Sequence, residues 1–180
     1  MAGDPYHREG LRGRLLEAAY RIVDREGADA VSMRALARHA GVSSAAPFRH
    51  FADKATLLDA VAEKAGVELD LRVDEAADDS ADALTQFRAM AVAYVRFAVE
   101  HPNLFDLVHA RSPFAGRLLG EINDERRLKL ITLIVEGQNA GLIPDVDPEL
   151  IALTSEALTH GLACMIVDLS LIHISEPTRL

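Results

Sequence analysis

Apolar residues recur at intervals of three and four along most of this chain, and this spacing restricts the folds open to it. The stretch from residue 11 to residue 26 is typical, because its apolar positions alternate with charged ones in this rhythm. The pattern places the apolar side chains on one face of an α-helix. Strand-like alternation of useful length does not occur in the sequence. The chain is therefore predicted to be all-α. The apolar positions of the first helix are Leu11, Leu15, Ala18, Ala19, Ile22 and Val23.

Capping residues and glycines mark the ends of the predicted helices. Gly27, Gly41 and Gly141 each follow a periodic run, as glycine does after a helix. Ser32 and Asp53 are of the residue types that cap helix N-termini. The predicted helices cover residues 11–26, 33–40, 43–51, 53 to the acidic stretch at 74–79, 82–100, 103–109, 116–140 and 148–167.

Composition excludes several classes of protein. One cysteine among 180 residues excludes a disulfide framework and a cysteine-rich zinc site, and it favours a reducing compartment. The first ten residues lack the apolar core of a secretory signal. The longest apolar run, at 162–174, contains Asp168 and falls short of the ~20 residues that a spanning helix needs. A cytoplasmic protein without a membrane partner is expected.

Charge is distributed unevenly between the two ends of the chain. The net charge is −9, which alone argues against a nucleic-acid partner. Residues 1–54, however, hold nine Lys/Arg against seven Asp/Glu, whereas residues 55–180 hold ten against 21. A weakly basic head on an acidic body can approach DNA by the head alone. Charge by itself leaves open an acidic solvated surface with no such role.

The second and third predicted helices form a helix-turn-helix. They flank Gly41, and the small Ala37 allows them to approach closely. Such a unit lays its second helix in the major groove of DNA. The residues which that helix would present are Ser44, Ala45, Ala46, Phe48, Arg49 and His50.

Residues 11–61 resemble the DNA-binding region of the TetR family of repressors. The motifs that carry the resemblance are Gly41-Val42-Ser43, Phe48-Arg49-His50-Phe51 and Asp53-Lys54. The resemblance implies that Arg34 contacts a phosphate or a base, and that Lys54 holds a phosphate at a helix N-terminus. Phe48 stands where the family usually has tyrosine, so a phenolic hydrogen bond to phosphate is missing. The predicted DNA-binding residues are Ser32, Arg34, Ser43, Ser44, Ala45, Ala46, Phe48, Arg49, His50 and Lys54.

The family resemblance also implies a role for the remaining helices, which dimerise and enclose a pocket for a small-molecule effector. The segments 101–105 and 157–163 resemble the subgroup named for a Trp-x-x-x-His-Gly motif, with Glu156 in place of the tryptophan. The alternative for each aromatic residue is an ordinary core position. The predicted pocket residues are Phe87, Met90, Tyr94, Phe97, Phe105, Phe114, His160 and Met165.

The sequence thus predicts a head over residues 1–54 and an effector-binding and dimerisation domain over 55–168. Residues 169–179 match the translation of a transposase adapter used in DNA library preparation, so 169–180 are predicted to be a non-native tail that impairs dimerisation. No cofactor, metal site or catalytic group is predicted, because the histidines show no ligand spacing and no nucleophile is paired with a base. The rival to a ligand-responsive repressor is an acidic helical-bundle interaction module without DNA binding.

Overall fold

The computed structural model describes residues 5–111 and 125–175, and the side chains of residues 10–111 and 127–169. These ranges contain α-helices joined by turns and 3₁₀ segments, and no β-strand. The all-α prediction is confirmed. The helices are α1 (Pro5–Glu26), α2 (Met33–His39), α3 (Lys54–Glu75), α4 (Ala83–Glu100), α5 (Pro102–Arg111), α6 (Glu125–Asn139) and α7 (Pro148–Ser175).

The predicted caps form the expected hydrogen bonds. Ser32 Oγ accepts from the Ala35 N–H at 3.4 Å, and Asp53 Oδ1 accepts from the Thr56 N–H at 2.8 Å. Asp82 caps α4 in the same way, with a bond of 3.0 Å from the Thr85 N–H. The helix ends differ more from the prediction. Helix α1 begins at Pro5 instead of residue 11, α7 continues to Ser175 instead of ending at 167, and the expected start near 116 lies outside the described residues.

The chain forms two compact units, and they do not divide where the sequence suggested. One unit comprises Met1–Val67 and Asn103–Pro113, and the other comprises Glu68–Pro102 and Phe114–Leu180. The division therefore falls within α3, later than the boundary predicted after residue 54. The reason is that the first turns of α3 carry buried Leu57, Leu58 and Val61, which belong to the core of the first unit.

The first unit is held together by a small apolar core and several polar links. Leu15, Val23 and Leu36 are buried in it. The Asn103 side-chain amide donates to the Asp24 carbonyl at 3.0 Å, satisfying an acceptor near the C-terminus of α1. The Asn103 bond links α5 to the first unit, although Glu68–Pro102 of the other unit come between its two parts in the sequence.

The second unit is built from α4, α6, α7 and the last part of α3. Helix α4 packs against both α6 and α7, which also pack on each other. Leu130, Ile134 and Ala152 form a buried cluster there. Gly141 ends α6 with a φ of +72°, and Leu142 N donates back to the Gly137 carbonyl at 2.8 Å. This is a glycine-terminated helix end as the sequence predicted.

Helix α7 carries more apolar side chains than are buried within the chain. Its segment Pro148–Leu169 has a mean hydropathy of 1.6 and is long and apolar enough to cross a membrane by length and composition, the one such helix in the described part of the chain. This differs from the sequence-based expectation, which considered only the shorter run from residue 162. Only 17% of the apolar window is buried within the chain, so α7 leaves much of its apolar surface uncovered.

The Asp82 cap makes the free energy of unfolding depend on pH. Hydrogen bonds from the Thr85 hydroxyl and then from its backbone N–H lower the pKa of Asp82 below the usual 3.8. A carboxyl whose pKa is lowered by folding stabilises the fold above its unfolded pKa, and this contribution is lost as pH falls through the folded value. We therefore expect Asp82→Asn, which keeps an acceptor but does not titrate, to be less stable than the parent at neutral pH and equal to it in strong acid.

Urea unfolding midpoints from neutral pH to about pH 2 measure this difference. Asp145→Asn, in the exposed loop before α7, controls for the loss of one negative charge. A gap between parent and Asp82→Asn that stays constant as the pH falls below 3.8 would contradict the assignment.

Candidate nucleic-acid interface and internal cavity

The turn after α2 has the geometry that a helix-turn-helix requires. Gly41 has a φ of +68°, a conformation that side chains disfavour. Its N–H donates to the Arg38 carbonyl at 3.2 Å, and the Val42 N–H donates to the Ala37 carbonyl at 3.0 Å. Ala37 is buried, as its proposed role in close helix approach demands. The chain thus changes direction directly after α2.

The segment that follows, residues 43–51, is tighter than the α-helix expected there. Only Pro47–Arg49 is regular, and it is a 3₁₀ helix. Pro47 has no N–H to donate to the Ser43 carbonyl, which instead accepts from the Ala46 N–H at 2.9 Å. The recognition helix expected over residues 43–51 is therefore corrected to a succession of turns that closes with a bond from Phe51 N to Pro47 O at 3.0 Å.

Two buried residues fix this segment to the head. Pro47 is buried, and Phe51 is only 2% exposed. The Arg12 guanidinium lies 5.1 Å from the centre of the Phe51 ring, in a cation–π contact that ties α1 to the segment. The residues between these two anchors face outward.

All predicted DNA-binding residues lie at or near the surface of the first unit. His50 and Lys54 are half-buried, and so is Ala46. Phe48 is 50% exposed, so it is a surface side chain and not a core aromatic. The exposed members are Ser32, Arg34, Ser43, Ser44, Ala45, Phe48 and Arg49. The fold therefore brings polar and cationic groups from α2, from the 3₁₀ segment and from the start of α3 into one small unit.

Lys54 is the first residue of α3, and its ammonium group already has a partner. It donates to the Asp29 carbonyl at 3.1 Å, in the short 3₁₀ helix Ala28–Ala30. An ammonium group has three donors, so it can keep this bond and still donate to a phosphate. The sequence did not indicate the Asp29 contact, because the two residues are 25 positions apart and no local pattern links them.

A cavity of about 80 Å³, partly open to solvent, lies within the second unit. Three of the predicted pocket residues line it, namely Phe87, Met90 and Tyr94. The remaining lining residues, which the sequence did not single out, are Val73, Ala91, Leu130, Ser155, Glu156 and Thr159.

The other predicted pocket residues lie elsewhere. Phe97 and Phe105 are completely buried in core positions, Phe105 in the first unit. Met165 is exposed. Phe114 lies outside the described residues. Helical spacing shows which residues face inward, but it does not separate a core position from a cavity wall.

His160 does not line the cavity itself, but it contacts Tyr94, which does. Its Nδ1 lies 3.0 Å from the Tyr94 hydroxyl, and its Nε2 lies 3.5 Å from the Cys164 thiol. Burial lowers the pKa of His160 below 6.5, which favours the neutral ring at pH 7. One of its nitrogens then donates and the other accepts, which holds the Tyr94 hydroxyl in a fixed direction.

Glu156 is the one ionisable acidic residue among the side chains that line the cavity. The Arg127 guanidinium lies 3.5 Å from its carboxylate, and both side chains are largely buried, with 15% of Arg127 and 20% of Glu156 exposed. Among the described residues, no group of three or more His, Cys, Asp or Glu side chains could hold a metal ion. The cavity therefore offers an apolar wall and one polar wall that carries a carboxylate.

Two family descriptions match the chain. Residues 15–61 match "Bacterial regulatory proteins, tetR family", and residues 87–180 match "Tetracyclin repressor-like, C-terminal domain". The first match contains the helix-turn-helix, and the second contains all of the cavity's lining residues except Val73.

Curated relatives include nucleoid occlusion factor SlmA from two bacteria. The protein of Vibrio vulnificus strain YJ016 is 31% identical over 126 residues, which cover 68% of this chain and 63% of that protein. The protein of Photorhabdus laumondii is 30% identical over 115 residues, which cover 62% of this chain and 58% of that protein. The chain thus spans about three fifths of the length of these relatives.

Solved structures with the same fold cover nearly the whole chain. A protein of unknown function from Rhodococcus sp. RHA1 superposes with a TM-score of 0.71 at 33% identity, covering 97% of this chain and 91% of that one. A TetR-family transcriptional regulator from Pectobacterium atrosepticum has a TM-score of 0.67 at 25% identity, covering 92% and 86%. Since the C-terminal family match alone takes in more than half of the residues and the helix-turn-helix matches independently, the chain belongs to the TetR family of bacterial transcriptional regulators.

Proposed function

We propose that this protein is a cytoplasmic repressor that binds a palindromic DNA operator as a homodimer and leaves it when a small molecule occupies the cavity. The observation that carries the proposal is the exposed row formed by Phe48 and Arg49, which lies between the buried Pro47 and Phe51. Phe48 and Arg49 project to solvent from a segment anchored at both ends by buried rings. A rigidly mounted, outward-facing segment after a helix-turn is what base readout requires.

The charges of the head support phosphate contacts on either side of that segment. Arg34 is exposed on the first turn of α2, and Lys54 begins α3 behind the Asp53 cap. Both side chains lie at helix N-termini, where the helix dipole adds to their attraction for phosphate. In this proposal Arg49 reads bases, and Arg34 and Lys54 position the head on the backbone.

The uncovered surface of α7 supports a homodimer. Leu158, Leu162 and Met165 are all exposed on this helix, ahead of the tail predicted from residue 169. Exposed apolar patches of this kind mark interaction sites, and a second copy of α7 offers the same surface for a symmetric contact. A two-fold dimer would present two heads to successive major grooves, about 34–36 Å apart, and would therefore bind a palindromic operator.

The cavity supports release by a small molecule. It is lined mainly by apolar side chains with a few polar groups, as ligand sites are. A ligand that binds one spacing of the two heads better than the other shifts the population toward that spacing. Release then needs only a modest change in the distance between the heads.

Lys54→Ala is expected to weaken binding to every duplex and to lower the slope of log affinity against log salt concentration by about one unit. The reason is that one phosphate contact, with its released counterion, is lost. The experiment selects bound duplexes from a random pool with the full chain, and then titrates the best duplex at several salt concentrations. Selection of a palindromic duplex supports the dimeric repressor.

The matched control is Lys129→Ala, which removes a lysine from the second unit, where it lies 4.0 Å from Asp74. It should leave the slope unchanged. An unchanged slope for Lys54→Ala would remove Lys54 from the interface, and no salt-dependent binding by the parent protein would favour the acidic interaction module instead.

A further inference from the structure

The two walls of the cavity differ in chemistry. Phe87, Met90 and Leu130 supply apolar surface from α4 and α6. Helix α7 contributes Ser155, Glu156 and Thr159, so all three of its lining residues are polar or charged. A ligand that fits both walls has an apolar body with a polar group at one end.

The charge on the polar wall decides which polar group it accepts. Glu156 is an acceptor when ionised, and the neighbouring Arg127 stabilises its negative charge from outside the set of lining residues. An anionic ligand would bring a second negative charge beside this carboxylate in a largely buried setting. Such a like-charge contact is unfavourable, so the cavity selects against anions.

The aromatic side chains that line the cavity suit a cationic ligand as well. Both Phe87 and Tyr94 line the cavity, and the Tyr94 hydroxyl is held by His160 at 3.0 Å. Aromatic rings attract cations through their faces, most strongly where water is excluded. A carboxylate and two aromatic rings around one small space therefore favour the same kind of ligand.

We infer that the cavity binds a small apolar amine in its cationic form, with the ammonium group donating to Glu156 and the apolar body against Met90 and Leu130. The inference rests on the proposed function in taking this cavity as the effector site. It adds the chemical class of the effector, which the family assignment leaves open.

Three probes of similar size and different charge test the inference: 2-phenylethylammonium, 2-phenylethanol and phenylacetate. Their affinities for the full chain are measured by calorimetry at neutral pH and constant ionic strength, without DNA. We expect the ammonium compound to bind about 10-fold more tightly than the alcohol, because its hydrogen bond is charge-assisted. Phenylacetate should bind more weakly than either.

Glu156→Gln should bring the ammonium compound and the alcohol to within about twofold of each other. Glu149→Gln makes the same charge change at an exposed site on α7 outside the cavity, and it should keep the parent order of affinities. Because Glu156→Gln also removes the partner of Arg127, its far-UV circular dichroism and thermal midpoint are compared with the parent. Glu156→Asp, which keeps the charge, should keep the order with weaker binding.

Equal or tighter binding of phenylacetate by the parent protein would overturn the inference, and so would the absence of binding by all three probes. A preference for the ammonium compound that survives in a folded Glu156→Gln variant would overturn it as well. Duplex binding is measured separately on each protein. A wrong ligand class would therefore leave DNA binding intact, whereas failure of the repressor proposal would show as loss of duplex binding by the parent protein, whatever the order of the probes.

Discussion

Replacing Phe51 with alanine is expected to lower the free energy of unfolding by about 3–5 kcal/mol, the range for losing a buried phenylalanine from a packed core. The Phe51 side chain is 2% exposed, and it lies at the end of the 3₁₀ segment. Its removal leaves a cavity and also ends the cation–π contact with Arg12. Urea unfolding followed by circular dichroism measures the loss.

Phe48→Ala is the matched control, because it deletes the same side chain three positions earlier, where half of the ring is exposed. Its cost should stay below about 1 kcal/mol, as for surface substitutions. Equal losses for the two variants would show that the segment is not anchored through Phe51. Duplex binding, measured well below the unfolding midpoint, should also fall for Phe51→Ala, because the exposed row would lose its fixed position.

Leu158→Asp is expected to give a monomer and to lower affinity for a palindromic duplex by about 10²- to 10⁴-fold, the gain that linking two binding modules provides. Leu158 is 74% exposed on α7, and a carboxylate there would be buried in the proposed contact between two copies of the helix. Affinity for a single half-site should hardly change, since the head is untouched. Analytical ultracentrifugation gives the mass, and duplex titration gives the affinity.

Val92→Asp is the control for this prediction, because Val92 is an exposed apolar residue on α4 instead of α7. It should leave both mass and affinity as in the parent. A Leu158→Asp variant with parental mass would show that α7 does not hold the dimer together. A similar loss of mass in Val92→Asp would move the proposed interface to α4.

Local chemistry allowed much of the fold to be predicted. Ser32 and Asp53 cap helices because their side chains accept bonds from residues three positions later, and such short-range geometry is visible in sequence. Gly41 and Gly141 adopt positive φ where the periodic runs end. The 3₁₀ form of residues 47–49 differs from the α-helix predicted over 43–51, because proline removes a donor but is also tolerated in the first turn of an α-helix.

Contacts between distant parts of the chain could not be predicted. Nothing near Lys54 indicates that it donates to the Asp29 carbonyl, and nothing near Asn103 indicates the Asp24 carbonyl. The cavity shows the same limit. Phe87, Met90 and Tyr94 are predictable as cavity residues because they are large and face inward. Glu156 departs from a family motif, but nothing in the sequence indicates that it lines the cavity.

The head of this protein is discontinuous in sequence, and this has a practical consequence for dissecting it. Boundaries between domains usually fall in exposed linkers, where a chain can be cut without harm. Here the division lies inside α3, and helix α5 belongs to the head although residues 68–102 of the other unit precede it in the sequence. A fragment ending at residue 67 would sever α3 and omit Leu104, Phe105, Leu107 and Val108, all of which are buried. Recombinant expression of the DNA-reading part by simple truncation would thus yield an incomplete core, so the two halves are best separated by point substitution in the intact chain.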